Sequence, residues 1–448
     1  MTRPARGTCV SADRTRRRAP RNRNARAAAK QAVPAARTGR RPTPPPHRET
    51  PVPSRVRRFR TGLSAAALTA AALGALLPPA QAAGAGEGAA GGHPDHDKRL
   101  QQRLERLVAQ DDGPPGAIAL LTRGGRTQVY TAGVGDIATG RRPDPDDHMR
   151  IASIAKAFSG AVALRLVDEK VLSLDDTIGE RLPGQPAAWH AVTLRQLLQH
   201  TSGLPDYSGD PEFLAILQSD PRHLFDPRAL LGFVADEPLL FRPGTLYEYS
   251  NSDNIAVALM AEAATGRRYE DLLKELVYRP LGLRQTSLPL GYRLPRPYLH
   301  GYDITPPAEP QDVSEAVSAS GVWASGGIVS TPRELGAFMR AYGGPTLLSE
   351  KTREEQLTFR PGDSSEPAGP GTNAAGLAIY QYTTRCGVLY GHTGNFPGYT
   401  QLAATTPDGT RSLTFSINTQ TNKSNKPALL ARLRTVEEDF ACALLKDR

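Results

Sequence analysis

The chain has 448 residues with 55 Lys and Arg against 45 Asp and Glu, but residues 1–82 hold 18 basic and 2 acidic residues, which leaves a net charge of −6 for the other 366. This acidic remainder argues against a nucleic-acid-binding body, since such binding needs cations clustered on the folded surface. Three Cys exclude a disulfide-dense mini-domain, and 366 residues can bury a large core in one or two domains.

The first 94 residues are predicted to precede the folded body. Residues 1–54 are rich in Arg, Pro and Ala without apolar periodicity, so this leader is expected to be disordered. Residues 55–82 have the order of a secretory signal peptide, with basic residues, an apolar run and an A-x-A cleavage site that ends at Ala82. Residues 83–94 are predicted to be a disordered mature N-terminus.

The signal peptide also predicts where the protein acts. Translation is expected to start near Val52 or Val56, because the basic region of a signal peptide is short. The mature protein is expected outside the cell without a membrane anchor, on the cell-wall side of a bacterium whose 46 Arg against 9 Lys are typical of GC-rich coding. After cleavage, Cys386 and Cys442 are the remaining cysteines. Because the compartment is oxidising, we expect them to form one disulfide, with two buried free thiols as the alternative.

The mature chain starts with a helix and a hairpin. Residues 95–110 place leucines at helical spacing, which predicts an amphipathic helix. Apolar runs at 117–122 and 127–134, split by Gly124-Gly125, predict two strands of a hairpin. From 149 to 282 the pattern is mostly helical. The predicted helical segments there are 157–167, 194–198, 230–234, 255–264 and 269–277.

The second half returns to strands after one more helix. Thr331-Pro-Arg-Glu334 has the form of a capping box with Pro at the first helical position, and predicts a helix to about Tyr342. A helix over 428–445 is predicted to end the chain. The predicted strands before it are 377–383, 387–390, 399–405 and 413–417, with a turn at 407–409.

Strands at both ends with helices between them predict an α+β fold. Its antiparallel sheet is built from both ends of the mature chain and flanked by the terminal helices, and a mainly helical lobe over about 150–330 is inserted between them. We expect one domain over 95–448, present as a monomer, with its site between the sheet and the lobe.

A serine and a lysine three residues apart begin one helix, in Ser153-Ile-Ala-Lys156. Positions i and i+3 share a helix face, so the amine can approach the hydroxyl. Apolar neighbours favour the neutral amine, which is the form that accepts a proton from Ser153. The motif alone is more often a helix cap beside a solvated lysine.

Two further polar groups occur at turns. In Tyr249-Ser-Asn251, before a helix, a phenol and a carboxamide two residues apart point the same way and could serve one substrate. His392-Thr393-Gly394 follows a predicted strand; Gly394 would let a ligand backbone approach, and His392 and Thr393 supply polar contacts to an anionic group. Taken alone, each of these two motifs also fits a structural role.

The order and spacing of these motifs resemble the serine penicillin-recognising enzymes. Tyr-x-Asn lies 96 residues after Ser-x-x-Lys, and His-Thr-Gly about 140 residues further. The resemblance is greatest to the branch with class C β-lactamases, secreted D-alanyl-D-alanine carboxypeptidases and related esterases, and covers roughly 95–445. The supporting stretches are 197–205, 243–245 and 325–331. His200, in the first, is interpreted as a structural residue of a helix-ending turn.

The resemblance implies acyl transfer without a metal or cofactor. Ser153 would attack a carbonyl while Lys156 takes its proton, directly or through Tyr249. Backbone N–H groups of Ser153 and Asn395 would bind the oxyanion. Tyr249 would pass a proton to the leaving amine, and Asn251 would hold the substrate's amide.

The third motif bears on the substrate. By the resemblance, His392 and Thr393 would contact a terminal carboxylate. His in place of Lys departs from the β-lactamase form and favours peptidase or esterase members. We therefore predict a D-alanyl-D-alanine carboxypeptidase acting on peptidoglycan stem peptides. The alternatives are an esterase or D-amino-acid amidase, a β-lactamase, and a non-catalytic penicillin-binding sensor; the ligand is accordingly a small peptide, an ester or a β-lactam.

Overall fold

An antiparallel sheet forms the centre of the structure, a computed structural model that describes residues 94–361 and 365–446. The strands of the described residues are β1 (Gly116–Arg123), β2 (Arg126–Gly133), β3 (Met149–Arg150), β4 (Tyr302–Asp303), β5 (Gln311–Asp312), β6 (Val329–Ser330), β7 (Arg360–Pro361), β8 (Thr372–Ala375), β9 (Tyr380–Thr384), β10 (Gly387–Phe396), β11 (Tyr399–Thr405) and β12 (Arg411–Ile417). The α-helices are α1 (Pro94–Val108), α2 (Ala155–Asp168), α3 (Ile178–Arg181), α4 (Leu194–Leu198), α5 (Pro211–Ser219), α6 (Asn251–Thr265), α7 (Tyr269–Leu273), α8 (Trp323–Gly326), α9 (Pro332–Gly343), α10 (Glu350–Gln356) and α11 (Pro427–Leu445).

The predicted leader, signal peptide and mature N-terminus lie outside the described residues, apart from Pro94, which is the first residue of α1. Export therefore stays a prediction. Within the described part of the chain, we find no helix that combines the length and the apolarity needed to cross a bilayer.

Both ends of the mature chain contribute to one eight-stranded sheet. Its order is β2-β1-β12-β11-β10-β9-β8-β7, and every neighbouring pair is antiparallel. The two ends meet between β1 and β12, where Ala117 lies opposite Ile417. The α+β architecture predicted from the sequence is confirmed.

Helices cover both faces of the sheet because alternate strand residues point to opposite sides. On β11, Leu402 and Ala404 pack with the cluster that includes Leu104 of α1 and Leu433 of α11. Ala403, between them, joins the cluster of the helical lobe, which includes α2, α6 and α9. The lobe thus lies against one face, and the terminal helices lie against the other.

Several predicted elements differ in extent or type, and two of the strands show why. The strand predicted over 377–383 is β9, which starts at Tyr380, and β10 continues beyond the predicted end at Tyr390 to Phe396. Gly391 does not break β10: a Cβ there would lie 2.2 Å from the Ala403 carbonyl oxygen, so the glycine lets β11 approach.

Two helical segments differ in type. The segment 230–234 is a 3₁₀-helix, and α7 passes into a π-helix over Lys274–Tyr278. Apolar spacing does not separate these helix types, because each places residues three to five apart on one face.

The capping box predicted at α9 is only half formed. Thr331 Oγ1 accepts a hydrogen bond from the Glu334 amide at 3.2 Å. The Glu334 carboxylate does not return to Thr331; it accepts from the amides of Arg284 at 2.7 Å and Gln285 at 2.9 Å and from the Thr286 hydroxyl at 2.6 Å. Glu334 therefore joins α9 to another segment of the chain.

The disulfide between Cys386 and Cys442 is present, with Cα atoms 5.1 Å apart. It links the turn between β9 and β10 to the last helix, α11. Of the two alternatives left by the sequence, the structure thus contains the disulfide.

Replacing both Cys386 and Cys442 with Ala is expected to lower the free energy of unfolding by about 4 kcal/mol. The bond spans 56 residues, and losing it returns chain entropy to the unfolded state. Urea unfolding of the oxidised protein and the double variant measures the difference, and the reduced parent protein should unfold like the variant. A difference below about 1 kcal/mol would contradict the expectation.

Candidate active site

Ser153 lies in a tight turn between β3 and α2. The turn, Ala152–Ile154, is a 3₁₀-helix that runs directly into α2, and Ser153 is half-buried in it. Ala152 has φ 51°, a left-handed conformation that costs a non-glycine residue about 1–3 kcal/mol. β10 packs against the turn: a Cβ on Gly394 would lie 2.3 Å from the Ile151 carbonyl oxygen. The missing side chain of Gly394 therefore makes room for the turn at Ile151. The sequence suggested instead that it makes room for the backbone of a ligand.

Lys156 reaches Ser153 from the first turn of α2. Its Nζ atom lies 3.3 Å from Ser153 Oγ, and the side chain is fully buried. Nζ also donates to Asn251 Oδ1 at 2.7 Å and to the Ser325 carbonyl oxygen at 2.8 Å. Three separate segments of the lobe thus meet at one amine.

The surroundings of Lys156 favour its neutral form. Burial lowers the pKa of this amine from 10.5 to about 7, although the carboxyl groups of Asp206 and Asp253 oppose the shift. A neutral amine has two N–H bonds and one lone pair. Because Asn251 and Ser325 accept the two hydrogens, the lone pair is left for the Ser153 hydroxyl.

Tyr249 lies beside the same pair. Its ring centroid is 4.9 Å from Lys156 Nζ, and its hydroxyl is buried without a hydrogen-bond partner among the described residues. Burial raises the pKa of this phenol well above 10, and the nearby Ser153 hydroxyl partly opposes that shift. Tyr249 therefore keeps its proton at neutral pH and is equipped as a proton donor.

Asn251 is the first residue of α6, and its amide is engaged within the protein. Its Nδ2 atom donates to Asp206 Oδ2 at 2.9 Å and to Ser208 Oγ at 3.0 Å, while Oδ1 accepts from Lys156. The sequence assigned this amide to the substrate. In the structure it orients the lysine.

The His-Thr-Gly motif lies within β10, and its side chains are buried. Burial lowers the pKa of His392 to about 3, so the neutral ring donates from Nδ1 to the Thr393 carbonyl oxygen at 2.6 Å. The Thr393 hydroxyl donates to the Pro367 carbonyl oxygen at 2.6 Å and lies 3.0 Å from Ser365 Oγ. Neither side chain faces the cavity at Ser153.

That cavity has a volume of about 650 Å³. Ser153, Tyr249, Asn251 and Asn395 line it, so four of the predicted site residues meet there. Asn395 is held at the cavity by its side chain, whose Nδ2 atom donates to the Thr421 carbonyl oxygen at 2.7 Å. The charged groups of the described lining residues belong to Asp206, Glu248, Glu366 and Lys423.

His200 lies behind the site, in the turn after α4 where the sequence placed it. It has φ 55°, and its Nδ1 atom is 2.8 Å from Asp253 Oδ2. Burial lowers the pKa of His200 to about 3 and raises the pKa of Asp253 well above its usual value. Ser202 also donates to Asp253. These contacts give His200 a structural role.

Sequence reasoning missed several residues that complete the site. Asp206 holds Asn251, and it directly follows the 197–205 stretch. Ser325, whose carbonyl accepts from Lys156, begins the 325–331 stretch, but a backbone acceptor has no side-chain signature. Glu366 lies in a stretch that carried no signal.

Comparisons with known proteins agree with this fold. A family model described as Beta-lactamase matches residues 97–438. A penicillin-binding protein from Bacillus subtilis (strain 168) is 25% identical over 349 residues, which is 74% of each chain. A D-aminopeptidase from Brucella anthropi is 31% identical over 190 residues, 42% of this chain and 35% of that protein. The structure of a D-stereospecific amidohydrolase from Streptomyces sp. has a TM-score of 0.65 and 31% identity, over 75% of this chain and 98% of that one.

Proposed function

Because this chain belongs to the beta-lactamase family of serine hydrolases, we propose that it hydrolyses amide bonds of D-amino-acid derivatives through an acyl-enzyme at Ser153. The D-aminopeptidase and the D-stereospecific amidohydrolase, each 31% identical, support the substrate class. The match to the D-aminopeptidase spans 35% of that longer protein, and the match to the amidohydrolase spans 98% of its chain.

One observation carries the proposal: the buried Lys156 amine faces the Ser153 hydroxyl at 3.3 Å, with its two hydrogens directed to the carbonyl oxygens of Asn251 and Ser325. A serine hydroxyl is a weak nucleophile until a base takes its proton. The Lys156 amine, with a pKa of about 7, is matched to that task near neutral pH.

In the acylation step, Ser153 Oγ attacks the substrate carbonyl as its proton passes to Lys156 Nζ. The backbone N–H groups of Ser153 and Asn395 bind the developing oxyanion, since both residues line the cavity. The C–N bond then breaks, and the leaving amine takes a proton from Lys156, directly or through the Tyr249 hydroxyl. Water repeats these steps on the ester and frees Ser153.

A D-alanyl-D-alanine carboxypeptidase is the second candidate. The Bacillus penicillin-binding protein and the predicted export favour it. Its substrate ends in a carboxylate, for which the sequence offered His392 and Thr393. Both side chains are buried outside the cavity lining, and His392 Nδ1 and the Thr393 hydroxyl have internal partners, so we prefer the amidase.

A panel of substrates tests our preference for the amidase over the carboxypeptidase. We expect hydrolysis of D-phenylalaninamide and D-alaninamide, slower reaction of their L-enantiomers, and weaker activity on an acetylated D-Ala-D-Ala peptide. A depsipeptide ester and a chromogenic cephalosporin separate the esterase and β-lactamase alternatives. Faster release of D-Ala from the peptide than of ammonia from either amide would favour the carboxypeptidase. No turnover and no labelling by fluorescent penicillin would favour the sensor.

A further inference from the structure

A short segment, Ser365–Pro367, covers the part of β10 that carries Thr393; we call it the covering segment. Pro367 accepts the Thr393 hydroxyl hydrogen at 2.6 Å, and Ser365 Oγ lies 3.0 Å from the same hydroxyl. Ser365 and Pro367 are buried, whereas Glu366 between them is exposed. The segment therefore takes the hydrogen bond that Thr393 could have given to a substrate.

Contacts from the end of the chain hold the turn that follows the covering segment. The Arg434 guanidinium, on α11, donates to the carbonyl oxygens of Gly369 at 2.9 Å and Gly371 at 2.7 Å. Asn373 Oδ1 accepts from the Gly369 amide at 2.8 Å. These bonds fasten Gly369 and Gly371, which follow the covering segment in the chain, to α11.

Glu366 brings a carboxylate to the cavity from this side. Asp206 and Glu248 contribute two more, against the single ammonium of Lys423, so the charged lining groups of the described residues sum to −2. No cation forms an ion pair with Glu366 among the described residues. A negative charge thus stands close to where the sequence suggested that a substrate carboxylate would bind.

We propose that Glu366 selects substrates that carry an ammonium group, while the covering segment keeps a terminal carboxylate from the Thr393 hydroxyl. This inference rests on the proposed acyl-enzyme function and specifies its substrate class. Attraction to Glu366 favours a free α-amine, and repulsion disfavours an acidic substituent at the same place. Because Glu366 is exposed, salt should weaken the preference.

Competition with a neutral fluorophosphonate tests the proposal without requiring turnover. The competitors share one skeleton and differ in charge: D-phenylalaninamide is cationic, its N-acetyl form neutral and its N-succinyl form anionic. The inhibition constant of the parent protein should be lowest for the cation and highest for the anion. Glu366→Gln should reduce the preference for the cation over the neutral form roughly two- to fivefold, and Glu366→Lys should favour the anion.

The matched control is Glu354→Gln, an exposed carboxylate on α10 that does not line the cavity. It should leave all three inhibition constants unchanged. If Ser153 is labelled but Glu366→Gln retains the parent's cation preference, the inference is overturned and the proposed function stands. A parent protein whose Ser153 is not labelled overturns the proposed function and the inference with it.

Discussion

Replacing Ser153 with Ala is expected to abolish labelling by a fluorophosphonate and to lower kcat on D-phenylalaninamide by about 10⁴-fold or more. The variant removes the oxygen that forms the acyl bond and leaves Lys156 without its reaction partner. Ser153 lies in a turn whose fold depends on Ala152 and on the packing of β10, so the substitution should not unfold the protein. Mass spectrometry of the labelled protein and steady-state kinetics measure the two effects.

Ser219→Ala, at the exposed end of α5, is the control for the loss of a serine hydroxyl. It should be labelled at the parent's rate. Lys156→Met keeps the length of the side chain but removes the base, and its loss of activity should approach that of Ser153→Ala. Labelling of Ser153→Ala at a second serine, with turnover retained, would contradict the assignment of the nucleophile.

Periodicity predicted the fold because apolar residues repeat clearly in the sheet and in the terminal helices. α11, for example, begins at Pro427, one residue from the predicted start. Periodicity was insufficient to predict the extent of β10, where glycine residues allow close packing. Gly391 and Gly394 suggested the end of a strand, yet they let β10 lie against β11 and against the Ile151 carbonyl. Only the tertiary neighbours show that a glycine is needed there.

The sequence was informative about the site where side chains are close along the chain. Ser153 and Lys156 share a helical face, so their spacing alone predicts their approach. It was less informative about which way an amide or an imidazole points. Asn251 could face a substrate or Lys156, and only the positions of Asp206 and Ser208 decide between them. The surroundings of His392 likewise include the ring of Tyr380, which comes from the neighbouring strand β9 and cannot be inferred from the motif itself.

The rate of fluorophosphonate labelling is expected to fall about tenfold per pH unit below pH 7, and about a hundredfold by pH 5. The reactive form of Lys156 is the neutral amine, whose pKa is lowered to about 7, so protonation at lower pH removes the base. His200 and His392 do not account for a transition there, since burial lowers the pKa of each to about 3. A fluorophosphonate without ionisable groups keeps the profile free of substrate titration.

Asp206→Asn should move the midpoint of this profile to lower pH, because the Asp206 carboxylate favours the ammonium form of Lys156. Removing that charge lowers the lysine pKa, so the neutral base persists further into the acid range. The amide oxygen of the new side chain can still accept from Asn251, and labelling should survive. Asp175→Asn, which removes an exposed carboxylate outside the cavity lining, should leave the midpoint in place. An unchanged or higher midpoint in Asp206→Asn would show that the titrating group is not Lys156.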